Sequence, residues 1–196
     1  VTFADICYAS NPDYTYVPDD NFEQALIDLG YDDTLDDFVV TDSISGVTSL
    51  DVREEEISNL TGIEGFTALT TLDCQGNQLT SLDVSANTAL GSFECTANQI
   101  TALDVSNNIE LSWFKCASNQ LTSLDVSLNP ALFFLICSGN ELTSLDVSAN
   151  TALTYLRCED NQLTYLNIRN QNPNAITDFY AFENPLTCIE TLDPDY

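Results

Sequence analysis

The stretch Leu69-Thr-Thr-Leu72-Asp-Cys74-Gln-Gly-Asn77-Gln-Leu79-Thr-Ser-Leu82-Asp83-Val84-Ser-Ala-Asn-Thr-Ala decides the fold, because its pattern returns after 21 residues and keeps returning. Cys74, Cys95, Cys116, Cys137 and Cys158 form one column at that step, and Asn77, Asn98, Asn119, Asn140 and Asn161 form another. Asp83, Asp104, Asp125 and Asp146 each open a copy of Asp-Val-Ser. Independent columns sharing one period indicate a solenoid, in which each coil buries its apolar residues against its neighbours.

Within a coil, Leu72 and Cys74 alternate along a short segment, which places both on the inner face of a strand. Successive strands then stack in parallel at about 4.8 Å. Asn77 stands where the chain turns off the strand, and an Asn there can bond backbone groups that the turn leaves unpaired. Leu82 and Val84 return along the other side, with Asp83 outward. What remains of the coil is too short for a full helix, so the back should hold short extended or 3₁₀ segments.

The coil pattern Leu-x-x-Leu-x-Cys-x-x-Asn-x-Leu resembles the leucine-rich repeat, with Cys in place of the third strand Leu. A first coil fits Val47, Leu50, Val52 and Ile57, with Glu55 at the Asn position. Its far side, Leu60, Ile63 and Phe66, resembles the 22-residue coils of internalin-like bacterial proteins. A last coil fits Ile176, Phe179, Ala181, Asn184 and Leu186, after an insertion around Pro173. The predicted fold is a leucine-rich-repeat solenoid: a β-rich right-handed superhelix of about seven coils, with a parallel sheet on one face and an N-terminal helical cap.

The helix start is read at Pro18-Asp19-Asp20-Asn21-Phe22-Glu23, with Asp20 and Glu23 as a capping box. Phe22, Ala25, Leu26 and Leu29 make its apolar face, and Gly30 ends it. The division is then a tail at 1–17, a cap with one helix at 18–46, repeats at 47–189, and a C-terminal end at 190–196 expected to be truncated. Coils start near 47, 69, 90, 111, 132, 153 and 176. The cap segment joined to these coils resembles secreted leucine-rich-repeat proteins of marine bacteria, which implies a secreted or cell-surface location.

Composition narrows the chemistry. The 196 residues hold 31 Asp plus Glu, 4 Lys plus Arg and no His, for a formal charge of −27. So acidic a chain cannot offer nucleic acid the basic surface its phosphates require. Without His there is no imidazole base, no Ser-His-Asp triad and no His metal ligand. The sequence holds no Met, no signal-peptide pattern and no apolar run near the ~18 residues of a membrane span. It reads as a processed or trimmed segment that does not insert into membranes.

Among the repeat columns, the cysteines read as small apolar filling, since parallel neighbours hold their Cα–Cβ vectors in poor geometry for a disulfide. Cys7 and Cys188, at opposite ends of the stack, are expected to be unpaired. The column Asp83, Asp104, Asp125 and Asp146 is a weak candidate for Ca²⁺; the favoured reading is a solvated back face, with no cofactor. The cap cluster Asp28, Asp32, Asp33, Asp36 and Asp37 lacks EF-hand spacing. The column Thr80, Thr101, Thr122, Thr143 and Thr164 shows no outward Thr-x-Thr pair to match ice.

The strand face carries the functional signal. Its outward columns bring together Trp113, Phe134 and Tyr155, beside Lys115, Ile136 and Arg157, with Tyr180 and Phe182 in the last coil. Outward aromatics in quantity, and Arg beside them, are the marks of a binding surface. The expectation is a non-enzymatic module that docks a partner protein through this face, in line with the leucine-rich-repeat resemblance. Lys115 and Arg157 would pair with acidic groups on that partner. The alternative is a carbohydrate-binding module, with Trp and Tyr stacking on sugar rings and the cations holding sulfate or uronate. Glu94 and Glu159 could serve a hydrolase as acid and base, yet nothing selects a pair.

Overall fold

One three-residue strand per coil builds a seven-stranded parallel sheet in the computed structural model, which describes residues 13–170 and 176–191. The strands are β3 (Ser49–Asp51), β4 (Thr71–Asp73), β5 (Ser92–Glu94), β6 (Trp113–Lys115), β7 (Phe134–Ile136), β9 (Tyr155–Arg157) and β11 (Asp178–Tyr180). They lie in coil order and in strict register, so Ser49, Thr71, Ser92, Trp113, Phe134, Tyr155 and Asp178 form one row. Register is this exact because the middle residues from Leu50 to Leu156, Leu72 or Phe93 for example, are buried and Phe179 of the last strand is partly so; a slip by one would turn them to solvent. Backbone bonds continue past the strands, as from Cys95 N to Lys115 O at 2.9 Å.

The core is a single apolar column running through the stack. Cys74, Cys95, Cys116, Cys137 and Cys158 are free and buried, each beside its neighbour in the next coil. Burial pushes the Cys116 and Cys158 thiols up to about 12. Cys188 is free and exposed; Cys7, the insertion around Pro173 and residues 192–196 lie outside the described residues.

Two asparagine ladders join the coils. Asn119 Oδ1 accepts the Ile100 amide of the preceding coil at 3.0 Å, while its Nδ2 donates to Cys95 O at 3.0 Å and Cys116 O at 3.1 Å. Asn77, Asn98, Asn140 and Asn161 repeat this pattern. The second ladder, Asn87, Asn108, Asn129 and Asn150, is fully buried on the back and was not singled out from sequence, although it sits in the same Asp-Val-Ser-x-Asn repeat. Asn129 Nδ2 donates to Val105 O and Asn108 O, but its Oδ1 meets no partner.

The turn off each front strand passes through a left-handed residue. Glu54, Ala97, Ser118, Asp160 and Glu183 have φ between 53° and 59°, and Gly76 and Gly139 occupy the same place in their coils at 70° and 64°. Only these two coils carry the residue that adopts this conformation without strain.

On the back, β8 (Ser144–Asp146), β10 (Tyr165–Asn167) and β12 (Cys188–Glu190) form a second parallel sheet. The earlier coils have no back strand, and Leu82 and Leu103 are only partly buried there, whereas Leu145 and Leu166 are buried. Asp83, Asp104 and Asp125 face like-charged successors, which repel across neighbouring segments, but Asp146 is followed by Asn167, which donates to it at 3.1 Å.

The N-terminal end is closed by α1 (Asp20–Asp28), a short α2 (Thr41–Ile44) and an antiparallel pair, β1 (Tyr14–Tyr16) with β2 (Phe38–Val40). The sequence pattern predicts one helix here; the structure adds the short second helix and the strand pair. The helix cap also lies one residue before the expected Asp20. The N-cap is Asp19, whose Oδ1 accepts the amides of Asn21 and Phe22, while Oδ2 accepts from the Ser58 amide and hydroxyl and the Asn59 amide. Asp19 therefore ties the cap to the first coil. Burial raises its carboxyl, but these donors outweigh that and hold it low. Glu23 does not reach back to the cap; it is buried and accepts the Asp36 and Phe38 amides instead. Phe22, Ala25 and Leu26 pack inward as expected, whereas Leu29 is 45% exposed at the helix end, where Gly30 at φ 79° stops the helix.

Candidate docking face

The strict register turns one repeated sequence position into a continuous row of side chains. Trp113, Phe134 and Tyr155 occupy it in three consecutive coils. Their rings stack face to face, with centroids 3.6 Å apart and planes at 2° for the first pair, then 4.3 Å and 11° for the second. Asp178 follows Tyr155 in the row, and Tyr180, in register with Arg157, lies 6.4 Å from Tyr155 with its ring tilted by 46°. Phe133, which sequence reasoning passed over, meets Trp113 edge-on at 5.9 Å and is 41% exposed. Its signal was faint: it precedes the strand, in a column otherwise filled by Thr, Gly and Ser.

This stack leaves little ring face free. Phe134 is covered on both sides, and each outer ring on one. At the β6 end, Lys115 Nζ lies 5.5 Å from the Trp113 centroid and bonds Glu94 Oε2 on the preceding strand at 2.9 Å. At the other end, the Arg157 guanidinium lies 5.2 Å from the Tyr180 centroid and its Nε bonds Glu159 Oε1 at 2.8 Å. The bond to Glu159 outweighs the opposing effect of burial and holds the Arg157 guanidinium above its ordinary range. Both cations therefore serve the ladder by cation–π contact and internal ion pairing. The expected role of Lys115 and Arg157 as free partners for acidic groups on a ligand does not fit this pairing.

Glu159, considered above as a possible acid or base, is buried and bonded to Arg157, with one carboxylate oxygen unpartnered. It is 2 residues from Arg157 on the same chain segment and forms no close carboxylate pair with Glu94, which is held by Lys115. All the sequence-selected residues lie on this face: Ile136 between Lys115 and Arg157 in register, and Tyr180 and Phe182 at the last coil, 41% and 56% exposed. What the arrangement offers is a strip of ring edges with Ile136 and Phe133, flanked by neutralised ion pairs.

The back-face carboxylates are turned to local work. Asp83, Asp104, Asp125 and Asp146 each accept the amide of the Ser two residues on, at 2.8–2.9 Å. Among the described residues no three His, Cys, Asp or Glu side chains are grouped to hold a metal ion, and no helix is long and apolar enough to cross a membrane.

A single-coil repeat with inward Leu and Cys, an Asn-capped turn and a helical N-terminal cap defines an internalin-like leucine-rich-repeat protein. No family model matches the chain. The functional domain of InlJ from Listeria monocytogenes, described as including a cysteine ladder, superposes with a TM-score of 0.75 at 33% identity over 92% of this chain and 47% of that one. Internalin J of L. monocytogenes serotype 4b (strain F2365) is 40% identical over 72 residues, 37% of this chain and 8% of its own length. An internalin InlF structure from the same species matches with a TM-score of 0.72 at 20% identity, over 92% of this chain and 66% of that one, which is a likeness of fold. The chain thus spans less than half the length of both internalin J sequences.

Proposed function

We propose that the protein is a non-enzymatic recognition module, secreted or at the cell surface, that docks a partner protein on the strand face. The stacked ladder of Trp113, Phe134 and Tyr155 carries this reading. Its exposed ring edges, with Phe133, Ile136, Tyr180 and Phe182, make a contiguous apolar strip on a chain of formal charge −27. Fixed rings lose little conformational entropy on binding, and Trp and Tyr anchors supply much of the energy at protein interfaces. The same stacking argues against the carbohydrate alternative. A sugar ring needs an open aromatic face, and here neighbouring rings and the Lys115 ammonium cover most of them.

The test compares wild type with a Trp113→Ala/Tyr155→Ala double variant, both immobilised and exposed to cell-surface extracts and to a glycan array. Proteins retained by wild type and lost by the double variant support the reading. Equal retention by both, or saturable glycan binding lost in the variant, overturns it.

A further inference from the structure

We propose that the partner surface taken by the strand face has an apolar centre ringed by Lys and Arg; this rests on the docking reading above. All four Lys and Arg side chains of the chain are already bonded to its own carboxylates: Arg53 to Asp51 and Asp73, Lys115 to Glu94, Arg157 to Glu159, and Arg169 to Glu190. No cation is left to recruit an acidic ligand. The two pairs beside the ladder cancel their own charge, so the aromatic strip is locally neutral.

Beyond both ends of the strip the charge is uncompensated. Asp178 sits in register beside Tyr155, and the Asp160 amide bonds Phe182 O at the turn where Glu183 follows. Asp160, Asp178 and Glu183 are exposed, and none of them meets a Lys or Arg among the described residues. At the other end Asp51 and Asp73 share the single guanidinium of Arg53. A neutral apolar centre between two acidic margins is complementary to an apolar centre between basic ones. An acidic partner would meet repulsion from the margins, while a basic one is steered in and then paired. The Debye length is about 8 Å at physiological salt, so the margins act on a docked partner and the carboxylates of the back face are screened from it.

Trp113 is the only Trp, so its emission reports on the strip alone. The probes are a synthetic amphipathic Leu/Lys peptide, its Leu/Glu counterpart, an oligolysine and a cello-oligosaccharide. The Leu/Lys peptide should shift Trp113 emission saturably, and its affinity should fall about tenfold or more between low and high salt. The Leu/Glu peptide and oligolysine should leave the emission unchanged. An Asp160→Asn/Asp178→Asn/Glu183→Gln variant, altered only at exposed sites, should bind the Leu/Lys peptide about tenfold more weakly. An Asp83→Asn/Asp104→Asn/Asp125→Asn variant should differ from wild type by less than about twofold. Equal loss in both variants, equal binding of the Leu/Glu peptide, or no response to any peptide overturns the basic-rim proposal. The first two of these leave the docking reading standing, whereas a shift with the oligosaccharide alone removes that reading as well.

Discussion

Replacing Asn119 by Ala tests the first asparagine ladder at its centre. The change removes the acceptor of the Ile100 amide and the donor to Cys95 O and Cys116 O, all buried. An orphaned buried amide costs about 1–3 kcal/mol, and each lost bond to a carbonyl about 1 kcal/mol. The sum is roughly 3–5 kcal/mol, a large part of the 5–15 kcal/mol that ordinarily separates folded from unfolded chains. Asn129→Ala is the internal comparison. It removes two donated bonds, to Val105 O and Asn108 O, but also an Oδ1 that has no partner, so about 1–2 kcal/mol is expected. Urea unfolding followed by far-ultraviolet circular dichroism should show the larger fall in midpoint for Asn119→Ala, with the slope unchanged. If Asn129→Ala lowers the midpoint as much, or Asn119→Ala by less than about 1 kcal/mol, the staple argument is wrong.

Other consequences are as direct. Native protein treated with a thiol reagent should label Cys188 and spare Cys74, Cys95, Cys116, Cys137 and Cys158 until denaturant is added, since burial holds those thiols protonated. At the left-handed turns, Gly139→Ala should lower stability by about 1 kcal/mol and Ser118→Gly raise it by up to about as much, read as opposite shifts in melting temperature. Burial raises the Glu23 and Asp32 carboxyls, and Glu23 Oε2 and Asp32 Oδ2 both lack partners. Their neutral forms are favoured by folding, so stability should rise as pH falls through their raised folded values toward the ordinary ones. It should then fall at lower pH, as carboxylates held low by their Ser neighbours, Asp83 and Asp104 among them, are protonated. Glu23→Gln, whose oxygen can keep both amides, should reduce the initial rise to the share that Asp32 contributes. Salt should raise the melting temperature by screening like charges, with NaCl and CaCl₂ equal at matched ionic strength; an extra shift with Ca²⁺, reversed by chelator, would reveal a bound metal.

The solenoid could be read because its information is local and repeated. Leu72, Cys74 and Asn77 each answer a question that every coil poses again, and five or more copies overdetermine the answer. Features that occur once resisted the same reading. The β1–β2 pair depends on an encounter of Tyr14–Tyr16 with Phe38–Val40 that no local pattern announces. Asp19 and Asp20 are equally good N-caps in sequence, and only the approach of Ser58 and Asn59 to Asp19 separates them. On the strand face, register alone placed Trp113, Phe134 and Tyr155 in one row. Side-chain pairing was not accessible that way: Glu94 and Glu159 stand in outward columns, and their capture of Lys115 and Arg157 depends on rotamers.

The docking claim is tested most directly by oxidative footprinting of the protein bound to a partner recovered with the wild type but not with the Trp113→Ala/Tyr155→Ala variant. Trp113, Phe133, Phe134 and Tyr155 should become protected on binding, while Ile109 and Leu128, which are 56% and 57% exposed away from the front strands, should oxidise as in the free protein. Protection of Ile109 and Leu128 with the ladder still reactive would contradict the account.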